Sequence, residues 1–148
     1  LMAVQMRPGA LADLGLAAVL DSDVQTLAEH EGFVARVDLD ESHALALSQD
    51  AQLSLYRIIH AALDNVVSHA HASHVIITIR PDNDRVSVMV QDDGIGFDVD
   101  PLDSADGPAS VGLLAMRERA RMMRGSVNIE STQGEGTVVF IDVPNDAA

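Results

Sequence analysis

The sequence predicts an α+β fold, a two-layer α/β sandwich in which a mixed β-sheet carries helices on one face. Segments with helical spacing and segments with alternating apolar residues follow each other as helix, strand, helix, two strands, helix, two strands. Both pairs of neighbouring strands are separated by a short turn, which favours antiparallel hairpins. The 148 residues are enough for one domain with its own hydrophobic core.

The first half of the chain predicts two helices and one strand. Residues 14–30 have apolar side chains at helical spacing, and Gly32 ends the pattern. Residues 33–39 alternate as in a strand. Ser48 is a suitable N-cap for a long amphipathic helix that we expect to extend to about His71.

The second half predicts two hairpins around a lid and a helix. The polar segment 97–110 has the length of many active-site lids, and a helix follows at 111–124 with Ser110 as its N-cap and Gly125 at its end. The four predicted strands are 74–80, 85–91, 126–131 and 137–143.

Composition excludes several classes of function. A net charge of −14 argues against a nucleic-acid partner, which would need basic patches. All nine basic residues are arginine, so the lysine of a P-loop is missing. The absence of cysteine fits a reducing, cytoplasmic compartment, and no apolar run approaches the roughly 18 residues of a membrane span. We therefore expect no direct membrane contact, although the parent protein could be membrane-anchored.

The segment Asp92-Asp93-Gly94-Ile95-Gly96 directly follows a predicted strand. A carboxylate at this point can accept a hydrogen bond from an exocyclic amine, and glycines let the backbone approach a flat ring. The same segment also has the composition of an ordinary strand-ending turn. By itself it therefore leaves a purine site and a simple turn as alternatives.

Three further patterns each have a structural and a functional interpretation. Asn65 and His69 share one stripe of the long helix. The Asn65 amide oxygen could bind Mg²⁺, or the amide could simply be a core side chain whose hydrogen bonds are made within the protein. The start of the helix at Val111, Gly112 and Leu113 could bind phosphate through free N–H groups. The turn before Thr137 is, alone, an ordinary hairpin turn.

Two metal-site interpretations are weak. His69, His71 and His74 do not share a helix face, whereas zinc needs three or four convergent ligands. The acidic residues of the lid are more typical of a solvated loop than of a cation site. The residues concerned are Asp98, Asp100, Asp103 and Asp106.

Taken together, five segments resemble the ATP-binding catalytic domain of bacterial two-component sensor histidine kinases over about residues 8–144. The fourth segment resembles in particular the subfamily that partners LuxR-type response regulators. In chain order the segments are Leu55-Tyr56-Arg57-Ile58-Ile59, Asn65-Val66-Val67-Ser68-His69-Ala70, Asp92-Asp93-Gly94-Ile95-Gly96-Phe97-Asp98, Gly112-Leu113-Leu114-Ala115-Met116-Arg117-Glu118-Arg119 and Gly134-Glu135-Gly136-Thr137.

The resemblance implies the Bergerat fold of the superfamily that includes gyrase, Hsp90, histidine kinases and MutL. It also implies ATP and Mg²⁺, bound between the long helix and the lid. Asn65 would hold Mg²⁺ and Asp92 would recognise adenine. The residues implied to contact nucleotide are Asn65, His69, Asp92, Gly94, Gly96, Val111, Gly112, Leu113 and Thr137.

The resemblance further implies partners outside this chain. Residues 1–7 would be the tail of a helical dimerisation domain that carries the phosphoacceptor histidine, and residues 8–148 would be the catalytic domain. None of the six histidines here has the pattern of that phosphoacceptor. A LuxR-type response regulator would receive the phosphoryl group.

The phosphate end departs from the family pattern at three positions. Ala61 stands where the family usually has a glutamate, taken to be a base or the orienter of a metal-bound water, and a methyl group can do neither. Ser68 replaces a basic residue, and Ser110 replaces a glycine. No catalytic residue is therefore certain. Substitution by Asp64 or His60 would require distortion, because both are off the Ala61 stripe.

Three functions remain as alternatives. The first is an active histidine kinase domain, and the second is a degenerate nucleotide-binding or regulatory module with little phosphotransfer. The third is another superfamily member, such as an anti-sigma-factor serine kinase, against which the stretch from Met116 to Arg119 counts. Arg117, Arg119 and Arg121 are candidates to replace lysine at the phosphates.

Overall fold

A computed structural model describes residues 15–40, 45–67, 71–95, 108–132 and 134–145. The predicted order of elements is confirmed, and every strand lies within one residue of its predicted bounds. The elements are α1 (Leu16–Glu31), β1 (Val34–Leu39), α2 (Gln49–Asn65), β2 (His74–Pro81), β3 (Arg85–Asp92), α3 (Pro108–Met122), β4 (Ser126–Thr132) and β5 (Gly136–Pro144).

The five strands form one mixed sheet in the order β1-β2-β3-β5-β4. β1 and β2 are parallel, and the other neighbouring pairs are antiparallel. β3 and β5 are central, and their register places Asp92 opposite Thr137 at one end and Arg85 opposite Pro144 at the other.

The hydrophobic core lies between one face of this sheet and the helices. Alternate residues of the strands are buried, as expected for a sheet covered on one side. The largest fully buried helical side chains come from α1 and α2, and Met116 adds one from α3. This arrangement confirms the predicted two-layer α+β fold. The inward-facing strand residues include Val75, Ile77, Ile79, Val86, Val88, Val90, Val139, Ile141 and Val143.

α2 begins as predicted and ends earlier. The Ser48 hydroxyl accepts a hydrogen bond from the Ala51 N–H at 3.1 Å, which confirms Ser48 as the N-cap. The α-helix ends at Asn65 and continues as a π turn at residues 66–67. The prediction that it extends to about His71 is wrong, because His71 has φ 50°, in the left-handed region.

α3 begins earlier than predicted. Its first residue is Pro108, a residue favoured in the first helical turn because its fixed φ suits the helix and it lacks an N–H that would be unpaired there. Ser110 therefore lies within the helix, and the prediction that it is the N-cap is wrong. The helix ends where Arg124 adopts φ 62° and the Gly125 N–H donates to the Ala120 carbonyl at 2.8 Å.

α2 and α3 run in opposite directions across the sheet. A cleft of about 300 Å³ is lined by Ser48, at the start of α2, by Met122 and Arg124, at the end of α3, and by Pro144. α2 has 17 residues and is about 25 Å long, close to the roughly 26 Å of the eight-residue β3. The end of α2 and the start of α3 therefore lie at the opposite end of the sheet, near Asp92.

Candidate functional site

The sequence motifs converge at one end of the two layers. Asp92 ends β3, and Thr137 lies opposite it on β5. Both side chains share the sheet face of the buried valines before and after them, which is the face covered by the helices. The directions of α2 and α3 across the sheet point Asn65, at the end of α2, and Gly112, near the start of α3, toward this same end. The fold therefore makes Asp92 and Thr137 direct neighbours and directs two further motifs toward them.

The Asp92 carboxylate is held by its own turn. Its Oδ1 accepts a hydrogen bond from the Gly94 N–H at 2.8 Å, and Gly94 is buried. Burial raises the pKa of Asp92 above its ordinary 3.8, and the negative charge of the neighbouring Asp93 acts in the same direction. Hydrogen bonds from the Gly94 and Thr137 N–H groups partly oppose this rise. The remaining acceptor positions of the half-buried carboxylate can accept hydrogen bonds from a ligand's N–H donors.

The turn between β4 and β5 packs against this corner. The Gly134 N–H donates to the Ile95 carbonyl at 2.5 Å. Gly136 has φ +95°, and a Cβ added there would overlap the Asp92 carbonyl oxygen. Only glycine fits this approach, so the sequence Gly134-Glu135-Gly136 does more than make a hairpin turn.

Thr137 is 7% exposed and is held from the neighbouring strand. Its hydroxyl lies 2.9 Å from the Ser131 hydroxyl, which also donates to the Gly136 carbonyl at 3.2 Å. Sequence reasoning did not select Ser131. Its position within an alternating strand gave no signal, because only the β4–β5 register shows that it faces Thr137.

Asn65 is half-buried at the last α-helical residue of α2, just before the π turn. Single π turns within helices are frequent at functional sites. One turn earlier on the same stripe, Ala61 is partly buried and packs against the core. The stripe therefore offers one amide and no carboxylate.

His60 and Asp64 belong to a different stripe of α2. His60 Nδ1 lies 3.7 Å from Asp64 Oδ1, and its ring centroid lies 5.6 Å from that of Tyr56. The Tyr56 hydroxyl donates to Asp23 of α1, and burial, followed by this hydrogen bond, raises the pKa of Tyr56. The contacts of His60 with Asp64 and Tyr56 lie on this other stripe, which speaks against a substitute for the missing glutamate.

The predicted phosphate site lies in the first turns of α3. Because the helix starts at Pro108, the backbone of Val111 and Gly112 lies inside the helix, and the unpaired N–H groups belong to earlier positions. Leu113 is 2% exposed and packs in the core, so its side chain is not available to a ligand.

The candidate arginines lie toward the other end of α3. Arg117 Nε donates to the Val127 carbonyl at 3.4 Å, and Arg121 pairs with Glu118 at 2.9 Å. Both groups have partners on β4 or on their own helix. Arg119, like them, is in the C-terminal half of α3, away from Asp92.

Several predicted positions lie outside the described residues. These are His69, Gly96, most of the lid with its four aspartates, Ser68 and residues 1–7. Of the remaining two histidines in the metal pattern, His71 follows α2 and His74 pairs with Asp93. Within the described part of the chain, no three His, Asp or Glu side chains cluster in a way that could hold a metal ion.

Sequence reasoning also missed the contacts of Asp93. Its Oδ1 accepts hydrogen bonds from the Ser73 and His74 N–H groups, both at 2.8 Å, and its Oδ2 lies 2.9 Å from His74 Nδ1. The hydrogen bond from the His74 N–H is the main reason that the pKa of Asp93 is lowered from 3.8. The sequence shows two adjacent aspartates but not that they face opposite sides of the sheet.

The donor set fits a purine nucleotide with a divalent cation. A partly desolvated carboxylate suits an exocyclic amine, and Gly94, which follows closely after it, has no side chain that would occupy the space beside it. Mg²⁺ in nucleotide sites commonly takes one or two protein oxygen ligands, with phosphates and waters completing its shell. Asn65 can supply one such oxygen.

Comparison with known proteins identifies the family. Residues 50–147 match the family model described as histidine kinase-, DNA gyrase B-, and HSP90-like ATPase, and the chain belongs to this family. The resemblance inferred from the five sequence segments is thereby confirmed.

Curated relatives are sensor histidine kinases. The signal transduction histidine-protein kinase/phosphatase DegS of Brevibacillus brevis is 33% identical over 142 residues, covering 94% of this chain and 35% of that protein. The sensor histidine kinase ComP of Bacillus subtilis is 34% identical over 139 residues, covering 94% of this chain and 18% of that protein. The chain thus spans about a third or less of these relatives.

Solved structures show the same fold. The histidine kinase domain of the blue-light activated histidine kinase of Erythrobacter litoralis EL346 superposes with a TM-score of 0.66 at 20% identity, covering 88% of this chain and 61% of that chain. Full-length ShkA in complex with AMPPNP gives a TM-score of 0.70 at 24% identity, covering 90% and 30%. Within the described residues, no helix has the length and apolar character required to cross a bilayer.

Proposed function

We propose that this chain is the ATP-binding catalytic domain of a sensor histidine kinase. It binds ATP with Mg²⁺ and presents the γ-phosphoryl group to a histidine on a separate helical dimerisation domain of the same protein. A LuxR-type response regulator then receives the phosphoryl group, in the cytoplasm. Family membership and the sensor kinases among the relatives support this proposal.

One observation carries the nucleotide-binding part. The Asp92 carboxylate is half-buried, faces the helical layer, and is fixed by the Gly94 N–H. It therefore offers acceptors to the adenine amine without first having to be ordered. Gly94, Gly96 and Thr137 would shape the purine pocket beside it.

The phosphates would bind at the same end of the sheet, beside the end of α2 and the start of α3. Asn65 would supply an oxygen ligand to Mg²⁺, and His69 would be a further contact to the nucleotide. The backbone around Val111, Gly112 and Leu113 would border the phosphates where the positive dipole end of α3 favours anions. Bound Mg²⁺ supplies neutralisation of phosphate charge, and the protein supplies orientation.

Calorimetric titration with ATP and Mg²⁺ tests this proposal. We expect saturable heat for the wild-type chain and at least about tenfold weaker ATP binding for Asp92→Asn. In that variant the Gly94 N–H still donates to the side-chain oxygen at position 92. The new amide nitrogen, which is a donor, then faces the amine of adenine, which is also a donor. The same nitrogen suits the O6 acceptor of guanine, so the ratio of ATP to GTP affinity should fall.

The control is the circular dichroism spectrum of Asp92→Asn, which should match that of the wild type. Absence of both heat and a thermal shift with millimolar ATP in the wild-type chain would overturn the proposal. Equal ATP affinity in the two proteins would remove Asp92 from the site.

A second function is favoured by Ala61. The residue is a methyl group packed against the core, on the stripe where a carboxylate would orient water or accept a proton. The domain would then bind nucleotide and regulate its partner domain while transferring little phosphate.

Phosphohistidine formation in the full-length protein separates the two functions. If the domain is degenerate, Ala61→Glu should raise the rate by about tenfold or more, within the range that general acid–base catalysis contributes. Ala61→Gln is the matched control, since it has the same shape without a titratable group. Rapid autophosphorylation by the wild type would exclude the degenerate alternative.

A further inference from the structure

We propose that Asp93 is a positioning residue for nucleotide binding, which fixes the Asp92 corner by holding the start of β2. This inference rests on the proposed function. Asp93 itself does not touch the nucleotide, because its side chain points to the sheet face opposite the helices. The two adjacent aspartates therefore have separate tasks.

The register gives the direction of each side chain. Val86, Val88 and Val90 are buried on the helical face, so Asp92 continues that face and Asp93 faces away from it. In β2 the buried residues begin with Val75, so His74 is on the outer face together with Asp93. The contact between His74 and Asp93 thus lies across the sheet from the site.

Asp93 forms a dense set of contacts for an exposed residue. Its carboxylate accepts from two consecutive backbone N–H groups, those of Ser73 and His74, and pairs with the His74 ring. Its own N–H donates to the His74 carbonyl at 3.3 Å. The lowered pKa of Asp93 agrees with a carboxylate held mainly by backbone donors.

These contacts fix the peptide that joins Asp93 to Asp92. β3 ends at Asp92, so beyond this residue the chain leaves the regular hydrogen-bond ladder of the sheet. The hydrogen bonds between Asp93 and the start of β2 restrain the chain at the next residue, directly beside the Asp92 carboxylate that would contact adenine. Binding sites lose affinity when supporting residues leave a contact about 1 Å out of place.

A matched ion pair lies at the other end of the same strand. Arg85 pairs with Asp142 of β5 at 2.5 Å, and Asp142 is 43% exposed compared with 48% for Asp93. Arg85 is seven residues from Asp92, or roughly 23 Å along the strand. Asp142→Ala therefore removes a comparable cross-strand contact without reaching the site.

The test compares ATP and GTP binding by calorimetry in the 148-residue chain and its variants. Asp93→Ala is expected to weaken ATP binding about tenfold and to reduce the preference for ATP over GTP. Asp93→Asn retains an amide oxygen for both backbone N–H groups, so its affinity should stay within about twofold of wild type. Asp142→Ala should keep both the affinity and the preference, even if it lowers the melting temperature.

Each result has a distinct meaning. If wild type binds ATP and Asp93→Ala binds as Asp142→Ala does, the positioning role is wrong and the proposed function stands. If wild type does not bind ATP, the proposed function fails, and the inference fails with it.

Should Asp93→Ala not fold, His74→Ala replaces it, because this variant keeps both backbone hydrogen bonds to Asp93 and loses only the ring contact. A measurable loss of ATP preference in His74→Ala, relative to Asp142→Ala, supports the inference. An unchanged preference in His74→Ala, with Asp93→Ala unfolded, would overturn the positioning role and leave Asp93 with a role in folding alone.

Discussion

Asp92 and Asp93 show how position separates two chemically identical residues. Burial is the largest influence on the carboxyl of Asp92 and raises its pKa, whereas the His74 N–H is the largest influence on Asp93 and lowers its pKa. The first carboxylate faces the helical layer and has acceptor capacity left for a ligand. The second is used within the fold.

The raised pKa of Asp92 predicts acid-sensitive nucleotide binding. Only the ionised carboxylate is a pure acceptor, so ATP affinity should fall as pH decreases through the raised folded-state pKa, above the ordinary 3.8. Titration of wild type and Asp92→Asn across mildly acidic pH measures this effect. The nucleotide's own protonation affects both proteins, so the difference between their pH profiles isolates Asp92; parallel profiles would contradict the prediction.

Protonation of Asp92 weakens ATP binding, but it stabilises the folded state. Because the folded-state pKa of Asp92 is raised, the folded state binds this proton more tightly than the unfolded state. Its contribution to stability is complete below pH 3.8 and is lost as pH rises through the folded-state pKa. Asp93, with a lowered pKa, contributes stability above pH 3.8 that is lost as pH falls through its folded-state pKa.

Among the elements, the hairpin of β4 and β5 shows how a turn can shape a site on another strand. Gly136 lies against the Asp92 carbonyl, while Gly134, with a similar φ of +84°, has nothing within 4 Å of an added Cβ. The two glycines share a backbone conformation and differ in their surroundings. A substitution at Gly134 therefore tests backbone strain alone, whereas the same substitution at Gly136 tests strain together with displacement of Asp92.

Gly136→Ala is expected to lower the free energy of unfolding by about 2–3 kcal/mol and to abolish measurable ATP binding. Its Cβ must push β3 and β5 apart at Asp92 and Thr137. Gly134→Ala is the control, with strain of about 1 kcal/mol and near-normal ATP binding. Chemical denaturation and calorimetry measure both effects, and equal ATP affinities in the two variants would contradict this explanation.

For the molecule as a whole, local sequence patterns predicted the elements better than their ends. Alternation of apolar residues determines a strand that is covered on one face, so the strand bounds were accurate. Apolar residues continue beyond Asn65, and this concealed the end of α2. At α3 the Ser110 N-cap pattern competed with Pro108 at the first helical position, and Pro108 defines the observed start.

The site was predictable to the extent that its motifs are local. Asp92 and Gly94 stand out as a strand-ending turn, and Asn65 stands out as an amide within an amphipathic helix. The contact of Ser131 with Thr137 and the contacts of Asp93 with His74 depend on which strands are neighbours and in which register they pair. Such contacts join distant parts of the chain, and no local pattern encodes them.

The pairing of β3 with β5 has a consequence for how the protein folds. Asp92 and Thr137 become neighbours only after the intervening segment, which contains α3 and β4, has folded back so that β5 pairs with β3. The proposed purine site therefore cannot assemble before β5 is in place. Closing so long a loop is entropically costly and is repaid only when the central strands pair. Formation of the proposed binding pocket is therefore tied to completion of the sheet, and a nascent polypeptide would gain affinity for its ligand only near the end of folding.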